Sequence, residues 1–359
     1  MVLSYWLLQP FYRGAWRLQQ MRGHILPAVF YCGSPLDWTI FAPVQKYLRP
    51  MPVVTDKPEV VRYFRANGGG EVRRLPAFPD AVVMCRHACH KFPHKDIVKI
   101  GMRHGPYHFK RMTSAANYNR FDLYLMSSAA DLEAAKSNGV RSGRAVGYPK
   151  LDPAFNGELG KNELNALRER WALDPHRKTL LFTATWPGSG MSAFAQWQGH
   201  LGEFTGDYNI LVTLHPWFTP QERALVTAVP GVRLLAETDV LPAIMLADVC
   251  IGDTSSILAE CCALDKPLVT WRVPGAKRSL VEIDNLLDGI SLRVENISQM
   301  SGAIFFCLAD PGQLHNERMV ANRLMFDQLD GHAGERAAAE IARRIPRLRL
   351  ATPQDDLYD

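Results

Sequence analysis

Ala247-Asp248-Val249-Cys250-Ile251-Gly252-Asp253-Thr254-Ser255-Ser256 is the stretch on which the reading of this chain turns. An uncharged apolar run ends at Gly252, small hydroxylated residues follow, and apolar residues of helical character continue to Leu264. Asp265-Lys266-Pro267 then opens a further apolar run. A short apolar run without alternation marks a strand buried on both faces, as in a parallel sheet covered by helices. The predicted order is therefore strand, turn, helix, strand. The first N–H groups of a helix have no internal partner and carry partial positive charge. With the hydroxyls of Thr254, Ser255 and Ser256 they would make a donor-rich cradle for a diphosphate, opened by Asp253. The same residue types are the preferred helix caps, so the turn alone leaves ligand binding and plain capping equally open.

The same grammar extends outward on both sides. In the second half, strands are predicted at Thr179–Thr183, Asn209–Leu214, Val232–Leu235, Asp248–Gly252 and Pro267–Trp271. Helices are predicted at Lys161–Trp171, Val240–Leu246, Ser255–Ala263 and Ala337–Arg344. In the first half, Pro27–Cys32, Ala81–Cys85, Ile97–Ile100, Asp122–Met126 and Arg144–Val146 read as buried strands. Asn67-Gly68-Gly69-Gly70 reads as a loop. The expected fold class is α/β, with two facing Rossmann-like domains of parallel sheet at 1–155 and 156–345 and a polar tail at 346–359.

In such sheets ligands bind beyond the carboxyl ends of the strands, so residues just after each strand are the candidates. After Ile97–Gly101 come Arg103, His104 and Gly105, with Lys110 further on. A histidine there could deprotonate a hydroxyl, and cations at Arg103 and Lys110 would favour its neutral form. Thr185-Trp186 ends the first strand of the second half and His215-Pro216 the next.

The composition sets outer limits. The chain has 359 residues, 47% hydrophobic and 21% charged, which allows about two globular domains. A net charge of +5 favours anionic partners weakly, and no long block of Lys or Arg points to nucleic acid. Seven cysteines, an odd number set in apolar patterns, read as reduced cytosolic thiols. No secretory signal or membrane span is predicted. Cys85, His87, Cys89, His90 and His94 crowd together, but their spacing matches no usual zinc pattern, and no Asp-x-Asp occurs; neither a metal nor a cofactor is expected. Residues 1–22 interleave Val2, Leu3, Tyr5, Trp6, Leu7, Leu8, Phe11 and Trp16 with Arg13, Arg17 and Arg22. Two readings stand for this segment: a terminal helix covering the core, interrupted at Pro10, or a surface for an anionic membrane.

His104-Gly105, Gly147-Tyr148-Pro149-Lys150-Leu151-Asp152, Thr185-Trp186, His215-Pro216, Asp253-Thr254-Ser255-Ser256 and Leu264-Asp265-Lys266-Pro267 occur in one order. That series, over roughly residues 95 to 270, resembles the CDP-glycerol glycerophosphotransferase family of teichoic-acid and capsule synthesis, departing from it at Thr254, where tyrosine is common. The resemblance implies the GT-B fold and transfer of glycerol phosphate, or a related alditol phosphate, from a CDP-linked donor. The acceptor would be a hydroxyl of a lipid-linked or polymeric glycan at the inner membrane face, and CMP would be released. It implies His104 as the base and His215, Asp253, Thr254, Ser255 and Ser256 at the donor phosphates. Thr185, Arg103, Lys110 and Lys150 are further phosphate candidates; Trp186, Pro216 and Glu260 are candidates for nucleotide or sugar contacts. Two alternatives remain: a GT-B glycosyltransferase or epimerase using a UDP-sugar, and a non-catalytic protein binding anionic lipid or polymer.

Overall fold

A computed structural model describes residues 7–105, 114–236, 238–273 and 281–350. The chain forms two compact units, the first made of residues 7–104, 114–152 and 328–350, the second of Gly105 and the described residues within 153–327. The first contains seven strands, β1 Val29–Tyr31, β2 Val53–Thr55, β3 Val72–Arg74, β4 Ala81–Met84, β5 Val98–Met102, β6 Leu123–Met126 and β7 Gly143–Ala145. All pair in parallel in the order β3-β2-β1-β4-β5-β6-β7. The second contains β8 Lys178–Ala184, β9 Tyr208–Leu214, β10 Val232–Leu234, β11 Val249–Gly252, β12 Leu268–Trp271 and β13 Leu292–Val294, also all parallel, in the order β10-β9-β8-β11-β12-β13. Each is the doubly wound order, and in each the strand order reverses between the first and fourth strands of the unit.

Four of the helices cover the first sheet or border the candidate site: α1 Gln9–Met21, α2 Pro35–Gln45, α3 Ile257–Ala263 and α4 Ala333–Arg344. Trp16 of α1 packs with Val29, Tyr31, Val82 and Met84 on one face of the first sheet, and its indole N–H donates to the Pro79 carbonyl at 2.7 Å. Successive strand residues alternate in direction, so Phe30, stacked at 4.1 Å on Phe41 of α2, places α2 on the opposite face. Pro10 does not interrupt α1; it lies in the first turn, where a missing N–H costs nothing.

The helix ending at Arg344 is found where expected by pattern but not by domain. Chain order places it in the second domain, whereas α4 belongs to the first unit and packs on α2. The cause is a capping interaction across the chain. His332, at its N-cap, supplies no side-chain bond, and Asp152 takes that place, accepting the N–H groups of Ala333 at 3.1 Å and Gly334 at 2.6 Å. Burial raises the Asp152 carboxyl above its ordinary value, against the pull of those two N–H groups. Any Cβ at residue 334 would come within 2.7 Å of the Pro43 carbonyl oxygen, which is why glycine stands there. Arg336 then donates to the Val146 carbonyl at 3.0 Å, and Ala337, Ala338 and Ile341 form the buried stripe. The Tyr148–Asp152 motif is thus explained in part as the clamp for the last helix. The tail beyond residue 350 lies outside the described residues.

Candidate functional site

The turn after β11 is organised around one carboxylate. Asp253 is completely buried, and its Oδ1 accepts the Thr185 hydroxyl at 2.7 Å and the N–H groups of Thr254 at 2.7 Å and Ser255 at 3.1 Å. Its Oδ2 accepts the N–H groups of Thr185 at 3.0 Å and Ala193 at 3.1 Å. Burial pushes the Asp253 carboxyl up from its ordinary value, while these donors pull it down. Because Thr185 follows β8 and Asp253 follows β11, this set of bonds ties together the two strand ends at the switch point of the second sheet.

Three expectations change as a result. Asp253 is not a phosphate contact: a buried carboxylate holding five protein donor groups positions its neighbours instead. Thr185 has both its N–H and its hydroxyl turned to Asp253. The N–H groups of Thr254 and Ser255, expected to face a ligand, are likewise engaged. Ser255 and Ser256 remain half-buried at the mouth of α3, and the Thr254 Oγ1, itself buried, has no hydrogen-bond partner among the described residues. The neighbouring Thr183 Oγ1 is in the same condition. Glu260 is buried in the first turn of α3.

Beside this turn, the end of β9 contributes His215, half-buried, whose Nδ1 accepts the Trp217 N–H at 3.2 Å. A neutral imidazole with Nδ1 as acceptor carries its proton on Nε2, which is then a donor. The Trp217 ring stands edge-on to His215 at 5.1 Å and to Trp186 at 5.1 Å, with 66% of Trp217 exposed. Trp186 reaches this position because residue 188 is glycine, where a Cβ would come 1.9 Å from its ring. Pro216 is exposed between these groups. Trp217, which directly follows His215-Pro216 at this strand end, is not among the residues expected to contact the nucleotide.

In the first unit, His104 is half-buried at the carboxyl end of β5. Arg103 is not a ligand contact: it is buried, its guanidinium paired with Asp131 and donating to the Tyr118 hydroxyl at 2.8 Å. It anchors the strand end that carries His104. Lys150 is buried in the turn before Asp152. Lys110 lies outside the described residues. A second buried carboxylate, Asp37, sits at the switch point of this sheet, accepting the Gly33 N–H after β1 and the Arg86 guanidinium after β4, each at 2.9 Å. Of the crowded cysteines and histidines, Cys85 is buried against the Asp37 carbonyl, His94 stacks on Trp16 at 4.1 Å, His87 meets Tyr118 and Tyr124, and His90 lines the groove beside α1. All seven cysteines are buried free thiols.

The profile of the CDP-glycerol:poly(glycerophosphate) glycerophosphotransferase family matches residues 97–342, more than half the chain. This chain belongs to that family. No curated protein matches the sequence. Among solved structures, the wall teichoic acid polymerase TagF superposes with a TM-score of 0.69 at 15% identity, covering 98% of this chain and 95% of that one. A form of TagF soaked with CDPG gives 0.66 at 15% identity, over 94% and 93%. MnaA of S. aureus with UDP gives 0.64 at 13% identity, over 90% and 98%. At these identities the likeness establishes the fold, which is GT-B.

For this glycerophosphotransferase the Asp253 bonds are the stability-critical part of the turn. Asp253→Asn keeps the shape but turns an amide N–H group toward protein donors. It should lower unfolding free energy by about 3 kcal/mol in urea denaturation; an unchanged midpoint and slope would show that the carboxylate does not organise the turn.

Proposed function

We propose that the enzyme transfers glycerol phosphate from CDP-glycerol to a hydroxyl of a lipid-linked or polymeric surface glycan. The observation that carries this reading is the family match across residues 97–342, which includes both His104 and the Asp253–Ser256 turn. In the proposed step the acceptor oxygen attacks the phosphorus bearing the glycerol, the bond from that phosphorus to the CMP oxygen breaks, and His104 takes the acceptor proton. Transfer of this kind depends on positioning and charge neutralisation more than on covalent chemistry. His215 Nε2 and the hydroxyls of Ser255 and Ser256 would donate to the diphosphate and stabilise departing CMP. Trp186, Pro216 and Trp217 would offer an apolar surface to the nucleotide, and Thr254 Oγ1 a further donor.

The acceptor class is supported by two features of the first unit. A groove of about 610 Å³ runs beside α1, lined by Leu8, Phe11, Tyr12, Leu75 and Phe78 with Lys91 at one side, a shape and chemistry suited to a hydrocarbon chain near a phosphate. The outward stripe of α1, opposite Trp16, carries Phe11, Leu18 and Met21, with Leu7 exposed just before it; Phe11 is 75% and Met21 78% exposed, beside Arg13 and Arg17. A helix that is apolar on both sides, with arginines flanking the outer stripe, fits an anionic bilayer surface. Among the described residues no helix is long and apolar enough to cross a membrane.

Acceptor-dependent release of CMP from CDP-glycerol, with membrane extract as acceptor, tests the reaction. His104→Ala should reduce kcat about 10²- to 10⁴-fold, and release of UDP from a UDP-sugar without CMP from CDP-glycerol would overturn the donor assignment. Flotation with phosphatidylglycerol vesicles tests the surface. Phe11→Ser with Met21→Ser should leave most of the protein unbound; unaltered flotation would contradict the role of α1.

A further inference from the structure

The first unit holds a second cavity, about 230 Å³, between the starts of β6 and β7 and the last turn of α4. Its charged lining is Arg141, Arg144, Arg343 and Arg344 against Asp122 and Glu340, four cations to two anions. It lies at the amino ends of the strands, whereas His104 follows the carboxyl end of β5.

The ordinary account of Arg343 and Arg344 is that cations in a helix's last turn complement its dipole. That account does not reach Arg141 and Arg144, which come from the edge strand and the turn before it. The existing pairings are weak or local. Arg344 is 3.6 Å from Asp122, Arg343 pairs with Glu340 one turn away, and Arg144 donates to the adjacent Gly143 carbonyl at 2.8 Å. The Arg141 guanidinium makes no hydrogen bond or ion pair among the described residues. Exposed pairs of this kind contribute little to stability, and guanidinium groups so placed can turn to a phosphate and bind it through two parallel N–H bonds. The basic edge continues: Arg347 reaches Asp80, just before β4, at 2.8 Å. The arginines therefore follow the lower edge of the sheet from β4 to β7, about 15 Å at ~4.8 Å per strand.

We propose that this cavity is an anion site for a phosphodiester of the polymeric acceptor, holding the chain at a point remote from the hydroxyl that reacts. The proposal rests on the acceptor class argued above. Two observations favour polymer over lipid headgroup. A row of cations suits a chain with a charge in every repeat, and α4 lies on the sheet face opposite α1, the helix with the exposed apolar stripe.

The test is fluorescence anisotropy with a labelled glycerol-phosphate oligomer, without donor, on the full chain. Arg141→Ala with Arg144→Ala should weaken oligomer binding about tenfold and flatten its salt dependence. Thermal unfolding, flotation with phosphatidylglycerol vesicles, and CMP release with a single-unit acceptor should all stay at wild-type values. Equal oligomer affinity in wild type and variant would overturn the proposal, as would a loss confined to the vesicles. A wild type that releases no CMP from CDP-glycerol, yet loses oligomer affinity in the variant, would remove the donor assignment and leave the anion site standing.

Discussion

The second unit depends on a buried carboxylate whose hydrogen bonds all go to protein groups. Asp253 is buried at the switch point of the second sheet and draws the ends of β8 and β11 into one arrangement through Thr185, Ala193, Thr254 and Ser255. A buried charge is costly unless its hydrogen bonds are complete, so the loops that supply those donors have little freedom to move elsewhere. What remains outward at the turn is hydroxyl chemistry on Ser255 and Ser256, while at the end of β9 the His215 Nδ1 is engaged by the Trp217 N–H. Preorganisation of that sort suits a reaction in which the protein mostly holds charge in place.

The first unit repeats the device with different residues. Asp37 joins the loop after β1 to Arg86 after β4, as Asp253 joins the loops after β8 and β11. A third buried carboxylate, Asp152, acts at a longer sequence distance and brings α4 back to the unit the chain had left. Asp253 and Asp152 are held by backbone N–H groups, with the Thr185 hydroxyl added at Asp253, whereas Asp37 combines the Gly33 N–H with an ion pair to Arg86. Such sites set geometry; their charge is consumed internally.

Much of the fold was legible because β8, β9 and β11 are buried on both faces and read as continuous apolar runs. Three-residue strands give too little pattern to be read consistently: β1, β7 and β10 were legible, whereas β2, β3 and β13, equally short, were not. Met300–Ala309 is apolar almost throughout and gives no polar face to betray a helix. The helix ending at Arg344 is readable from its pattern, but nothing in a local pattern says which sheet it covers, since its cap lies at Asp152. At the site, the turn itself and the strand-end histidines were legible as residue types in order. The direction of a carboxylate was not: Asp253 beside three hydroxylated residues looks the same in sequence whether it faces a ligand or the core. Arg103 misled for the same reason, its partner Asp131 being visible only once β5 and the helix Ala129–Ser137 are side by side.

In the proposed arrangement the Asp253 turn presents Ser255 and Ser256, with His215, to the donor diphosphate. A crystal structure with CDP-glycerol bound tests it most directly. Diphosphate oxygens should then lie within hydrogen-bond distance of the Ser255 and Ser256 hydroxyls and of His215 Nε2, with the Asp253 bonds unchanged. A diphosphate bound away from this turn, or an Asp253 carboxylate released to meet the ligand, would contradict it.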